Sequence, residues 1–351
     1  MAEYSDDNRN IIAPIVLDSD KNHEFTLRPQ NFDEFVGQSQ LKDNLTIYIE
    51  AAKKRQEALD HILLSGPPGL GKTTLAFLIA QEMGKNIYHS SGPALEKPGD
   101  LVGLLTKLEH GDILFIDEIH RISSVLEEHL YSAMEDYFLD IVLDSGPSAR
   151  SVRLPIARFT LIGATTLDGK LSRPFRDRFQ IMGKLSFYDN EDLQKMIKRS
   201  CQLLDFTIDD ASGIRVASCS RGTPRLVNRL LRRLRDFAQI QSDGHVDINI
   251  CNDSLKQLGI DSLGLDDMDR KILFTICRLK GQPIGLNTIA ITVGEDDETI
   301  SDVYEPFLIQ QGFIIKTPRG RIATKLAYDV CGMSFNESGF QDEHQFNDNN
   351  D

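Results

Sequence analysis

The chain has 351 residues, 53 of them acidic and 39 basic, for a net charge of −14; 40% are hydrophobic and 26% charged. That length exceeds one compact core and calls for two or three domains, and the composition is that of an ordinary globular protein. The negative charge excludes a surface coated for nucleic-acid binding, but it leaves room for a local basic site, because phosphate contact depends on charge within about a Debye length.

Residues 1–24 are acidic and polar, without the basic and apolar regions of a secretory signal, and are expected to be flexible. Residues 25–188 alternate amphipathic and short apolar runs, the pattern of an α/β domain with a parallel sheet. Helices are expected over 41–59, 73–83 and 125–137, and buried strands over 62–65, 113–116 and 159–163. Two alternating segments, 139–143 and 152–156, flank Asp144-Ser145-Gly146-Pro147 and predict a β-hairpin. Residues 189–259 carry helical spacing at 191–204, 209–218, 224–240 and 253–258, a second and helical domain. Residues 260–333 then predict three helices (269–279, 286–292 and 299–310) and two strands (313–316 and 321–324) around Thr317-Pro318-Arg319-Gly320, a winged helix. Residues 334–351 form an acidic, apolar-poor tail of disordered composition.

Cys201, Cys219, Cys251, Cys277 and Cys331 are scattered without a C-x-x-C pair, which suggests neither a disulfide framework nor a zinc site. No apolar run approaches the roughly 18 residues of a membrane span, so no membrane association is expected and the chain reads as cytoplasmic.

Gly66-Pro67-Pro68-Gly69-Leu70-Gly71-Lys72-Thr73 fits G-x-x-x-x-G-K-[ST] in full, after a strand and at the start of a helix. Gly69 and Gly71 let backbone N–H groups turn toward phosphates, and the positive end of the helix adds to their pull. Lys72 supplies charge to the β- and γ-phosphates, the Thr73 hydroxyl is placed to ligate Mg²⁺, and Thr74 follows in the same turn. Asp117 and Glu118 end the apolar run 113–116, which sets two carboxylates at the carboxyl edge of a sheet. Asp117 is the expected Mg²⁺ partner, and Glu118 the residue that polarises the attacking water.

Pro67-Pro68 in the loop, Asp117-Glu118-Ile119-His120 after the second strand and Gly163-Ala164-Thr165-Thr166 after the third resemble AAA+ ATPases. Within that class, several segments are similar to the RuvB family of Holliday junction branch migration motors. They are Leu27-Arg28-Pro29, Phe32 to Gln38, Ala133-Met134-Glu135-Asp136-Tyr137, Arg176-Asp177-Arg178-Phe179 and Arg221-Gly222-Thr223-Pro224-Arg225. The resemblance runs from about Leu27 to Gly332. It implies an AAA+ P-loop large domain, a small helical lid and a C-terminal winged helix.

The resemblance further implies that Leu27, Arg28 and Tyr188 line the base and ribose pocket. Thr165 would read the γ-phosphate, Arg225 would be the second sensor, and Glu135, Asp136 and Tyr137 would add nucleotide contacts. Arg178 would be the arginine finger completing a neighbouring subunit's site. The hairpin at 139–156, with Ile141, Leu143, Val152 and Leu154 on an apolar face, would dock a RuvA-type junction-binding protein. Further implied partners are double-stranded DNA at Holliday junctions, a RuvC-type resolvase in the larger complex and identical subunits in a hexameric ring, with ATP and Mg²⁺ as cofactors.

The wing carries Lys316, Arg319 and Arg321, and the family places DNA-contacting arginines at the positions of Lys316 and Arg321. Leu167, where the family usually has Arg, and Asp297, at the position of a further family arginine, depart from the pattern. The arginines at 225, 229, 232 and 233 mostly share one helical face. Two other classes compete with a translocating motor. A clamp-loader-like switch would end in a helical collar, not a winged helix. A transcription regulator would read bases, but 299–310 bears Asp302 and Glu305 and no Arg or Lys.

Overall fold

The three apolar runs of the sequence form the middle of a five-stranded parallel sheet. The computed structural model describes residues 27–142 and 151–335. The N-terminal segment, Leu143, the hairpin turn at 144–147 and the tail from 336 onward lie outside the described residues. Strands β1 (Ile62–Ser65), β3 (Ile113–Asp117) and β6 (Thr160–Thr165) are buried along nearly their whole length. Strands β2 (Ile87–Ser91) and β7 (Ile181–Lys184) complete the order β2-β3-β6-β1-β7. β2 and β7 lie at the sheet's edges and are only partly buried, so they lack the continuous apolar run that marks the others.

Helices α1 (Ser39–Arg55), α2 (Lys72–Met83), α3 (Pro98–Leu105) and α4 (Ser124–Asp136) accompany this sheet. α1 stops earlier than the apolar spacing suggests, because Gln56 turns left-handed (φ 58°) and its N–H caps the carbonyls of Ala52 and Lys53. Ser123 caps α4 by accepting from the Leu126 N–H. Leu126 and Leu130 of α4 pack with Leu114 and Ile116 of β3 in one core.

Between α4 and β6, β4 (Phe138–Val142) pairs antiparallel with β5 (Ser151–Pro155), placing Ile141 opposite Val152 and Leu139 opposite Leu154. The expected apolar face is divided. Val152 is exposed, whereas Leu154 packs against the domain core beside buried Leu139. Leu154 therefore also anchors the hairpin to the domain core.

The described residues fall into two compact units, 27–195 with 223–225, and 196–222 with 226–335. The helical segment contains α5 (Asn190–Leu203), α6 (Asp210–Cys219), α7 (Pro224–Gln241) and α8 (Ile248–Gln257), with the short parallel pair β8 (Thr207–Ile208) and β9 (His245–Val246). On α7, Arg232 is buried and its Nε donates to the Asn228 carbonyl, while Arg233 and Arg235 both reach Asp236.

The winged module follows with α9 (Asp267–Cys277), α10 (Leu286–Val293), α11 (Glu305–Gln310), β10 (Ile314–Thr317), β11 (Gly320–Ala323) and α12 (Lys325–Val330). The expected helix over 299–310 is not continuous. A short turn Asp297–Thr299 and a π-helical stretch Ile300–Tyr304 precede α11. Pro306 is the physical reason: it lacks the N–H that a regular helix needs and crowds the preceding turn. The acidic run Glu295-Asp296-Asp297-Glu298 has a local use here, since Asp296 accepts from the Glu298 and Thr299 N–H groups as their cap.

Arg221, with a left-handed backbone (φ 53°), joins the helical segment to the winged module. Its buried guanidinium pairs with fully buried Asp269 and lies 3.7 Å from Asp266. Asp266 and Asp269 form the capping box of α9, so the helix start is also the counter-ion of the arginine. Burial drives the Asp269 carboxyl upward, while the Arg221 charge pulls it back. The rings of Phe307 (4.5 Å) and Tyr304 (5.5 Å) cover the guanidinium.

Candidate functional site

The phosphate loop leaves β1 between its two neighbours. The Gly66 N–H donates to the Thr165 carbonyl of β6 (3.2 Å), and the Leu185 N–H, just past β7, donates to Ser65 (2.8 Å). Gly66 sits at φ 139°, and a Cβ there would collide with the Leu185 carbonyl, so this departure point requires glycine. Lys72 is buried and donates to the carbonyls of Gly66 (2.7 Å) and Pro67 (2.9 Å). Its ammonium therefore lies inside the turn that the motif builds for phosphates. Thr73 and Thr74 open α2 directly behind it.

The strand-end acids meet the loop. The Thr73 hydroxyl donates to Asp117 Oδ2 (3.2 Å), while Asp117 Oδ1 accepts the Glu118 N–H (2.9 Å). Glu118 is left-handed (φ 49°), and its exposed carboxylate receives Arg121 Nη1 at 3.2 Å. Thr165 is buried at the end of β6, in contact with His120 Nδ1 (3.0 Å), and its Oγ1 accepts the Leu167 N–H (2.9 Å). The Leu167 departure thus leaves one contribution intact, because that contribution comes from its backbone. His120 was visible only as part of a motif; its contact with Thr165 arises from tertiary structure.

Tyr188 is buried beneath the loop, where its hydroxyl donates to the Leu70 carbonyl (3.1 Å) and its ring edge meets the Gly37 backbone. Burial raises the Tyr188 phenol well above its ordinary range. Leu27 is buried, and the Arg28 guanidinium lies 5.9 Å from the Phe77 ring of α2. The Arg225 N–H donates to the Gly69 carbonyl (3.3 Å), and its side-chain stem crowds the Gly69 Cα. Arg225 thus stands directly against the phosphate loop.

Glu135, Asp136, Tyr137 and Arg178 form a different group. Arg178 Nη2 donates to Glu135 Oε2 (2.7 Å) and to the Tyr131 hydroxyl. Asp136 pairs with Arg153 (3.2 Å), and the Tyr137 ring meets Phe159 and the Arg158 guanidinium. The partners these four residues show lie away from the loop residues.

In the wing, β10 and β11 pair antiparallel with Lys316 opposite Arg321, and Ile284 bridges to Arg321 as a third partner. Gly320 at φ 144° passes so close to the Ile284 carbonyl that a Cβ would not fit. Glu305, almost fully buried, accepts Arg321 Nη2 (2.7 Å) and Nε (3.2 Å), and Lys316 Nζ lies 3.1 Å from its other oxygen. Arg321 is mostly buried on this pair, at 12% side-chain exposure, whereas Lys316 is 59% exposed. Arg319 is exposed at the turn. Glu305, which in the sequence argued against base reading by 299–310, is in the structure the anchor of two of the three wing cations.

The strand order sets β6 between the loop-bearing β1 and the acid-bearing β3, which is the arrangement of an AAA+ P-loop ATPase. The chain matches the Holliday junction DNA helicase RuvB P-loop domain over residues 27–185, the RuvB AAA lid domain over 188–261 and the RuvB C-terminal winged helix domain over 262–332. The chain belongs to the RuvB family. It is 52% identical to the Holliday junction branch migration complex subunit RuvB of Ligilactobacillus salivarius, over 95% of this chain and 99% of that protein. Identity to the Myxococcus xanthus protein of the same name is 54%, over 93% and 95%. Among solved structures, the Thermotoga maritima RuvB Holliday junction branch migration motor superposes with a TM-score of 0.81 at 47% identity, covering 89% of this chain and all of that one.

Proposed function

We infer that this chain is the ATP-driven motor subunit that moves Holliday junctions along DNA in homologous recombination and recombinational repair. It would work as a homohexameric ring in the cytoplasm with a RuvA-type junction-binding protein, and with a RuvC-type resolvase in the larger complex. Among the described residues no helix is long and apolar enough to cross a membrane. The observation that carries the reading is one chain holding both a formed ATPase centre, with Thr73 on Asp117, and a winged helix with a basic turn.

Thr73 and Asp117 offer two hard oxygen donors 3.2 Å apart beside the loop, a set that fits Mg²⁺. When bound, the ion neutralises charge that develops on the β- and γ-phosphates. Lys72 would exchange its carbonyl partners for phosphate oxygens, a stronger charge-assisted bond. Glu118 would orient the attacking water and take its proton. Thr165, held by His120, would report the γ-phosphate, and Arg225 would close on it from beside Gly69. Glu135, Asp136, Tyr137 and Arg178 would serve the next subunit's nucleotide, while Leu27, Arg28 and Tyr188 would enclose the base and ribose.

The test is a synthetic four-way junction with the purified chain and a RuvA-type protein. ATP hydrolysis should rise with duplex DNA, and the junction should resolve into two duplexes only when ATP is hydrolysed. Hydrolysis indifferent to DNA, with junctions left in place, would reduce the chain to a nucleotide switch.

Lys316, Arg319 and Arg321 would contact phosphates, which carry no sequence information. Because Glu305 already neutralises part of this charge, neutralising Lys316 and Arg321 together should flatten the plot of log affinity against log salt by nearer one unit than the full two (about 0.9 per contact). Titrations of duplex DNA at several salt concentrations read the slope directly, and equal slopes for parent and variant would place the DNA site elsewhere.

A further inference from the structure

Arg178 is held in a cradle within its own subunit, and half of that cradle is a residue outside every motif of the sequence. Tyr131 and Glu135 stand one turn apart on α4, so their side chains leave the same face. Arg178 arrives from the turn after the short helix Arg173–Arg176. Its Cζ lies 4.2 Å from the Tyr131 ring centroid, and Nη2 donates to the Tyr131 hydroxyl and to Glu135 Oε2. Among the described residues its buried Nε has no hydrogen-bond partner.

The two halves of the cradle differ in what they do to the charge. Glu135 fixes the guanidinium but neutralises it, so a finger held by Glu135 alone would reach a phosphate with its charge already answered. An aromatic face attracts a cation through its quadrupole and restricts its plane without cancelling its charge. An unheld arginine would instead lose side-chain freedom at the moment of reaction.

We propose that Tyr131 is the positioning residue of the arginine finger, its ring presenting the Arg178 guanidinium to the γ-phosphate of the neighbouring subunit while Glu135 is given up or shared. The proposal rests on reading Arg178 as that finger. Tyr131 need not touch the nucleotide itself.

The experiment replaces Tyr131 in the full chain by phenylalanine, and then by phenylalanines with one, two and three ring fluorines. Each fluorine drains the negative ring face and barely alters its shape. Tyr131→Phe should keep kcat within about threefold of the parent. The fluorine series should then lower kcat stepwise, to about five- to tenfold in all, the range of a partly buried cation–π contact. KM for ATP and the melting temperature should stay constant, since neither the subunit's own loop nor its packing changes. A flat kcat across the series, or a fall that follows KM or melting temperature, overturns the proposal. Arg178→Ala measured beside it separates the layers. If that variant hydrolyses ATP like the parent, the finger reading has failed, and the proposal with it. If it collapses while the fluorine series stays flat, only the role of Tyr131 has failed. With Arg178→Ala as background, the fluorines should have no further effect.

Discussion

Arg178→Ala should bind ATP in its own loop almost as the parent does, yet lose about 10³-fold or more in turnover, the scale on which arginine fingers act. Binding survives because Lys72, Thr73 and Asp117 form one connected group in which Arg178 has no part. Turnover falls because phosphoryl transfer is catalysed mainly by positioned charge. Lys72→Ala has the complementary defect, an impaired loop beside an intact finger. Mixing the two should restore some hydrolysis, since some interfaces then pair an intact loop with an intact finger. Junction movement need not return, because a ring with few live sites stalls. If mixed rings form and ATPase never rises above the sum of the separate rates, the finger does not act in trans.

Glu118→Gln should retain ATP and stabilise the ring while turnover drops by ~10²-fold or more, as on loss of a general base. The structure sharpens this expectation. Glu118 lies in left-handed backbone beside Asp117, with its carboxylate exposed and touching Arg121. The glutamine keeps the shape and gives up only the proton acceptor. Single-turnover hydrolysis with bound ATP separates the chemical step from binding, and near-parent chemistry would remove Glu118 from the role.

What could be read from the sequence, and what could not, follows from the range of the interactions involved. β1, β3 and β6 announce themselves because both faces are buried, whereas β2 has the polar sequence IYHSS and an edge position. Gly66–Thr73, Asp117 and Glu118 are legible because phosphate and metal chemistry demand those residue types at that spacing. The partners of the site are not legible. His120 meets Thr165 from 45 positions away, Tyr131 meets Arg178 from 47, and Glu305 meets Arg321 from 16. No local period encodes such pairs. The hairpin shows a milder form of the same limit: alternation groups Leu154 with Val152, and only the core decides that Leu154 turns inward.

The buried Arg221 has a mechanical consequence. Its two aspartates belong to the first turn of α9, and its rings to the segment that leads into and forms α11, so one guanidinium clasps the winged module at two places. A dry ionic clasp does not stretch by degrees. Parting the charges exposes each to a medium that solvates it poorly, so intermediate separations cost more than either the closed state or full exposure to water. An apolar interface of the same size slides; this one behaves as a latch. Within this unit, the end of the helical segment at Arg221 and the start of the winged module should therefore part all at once or not at all.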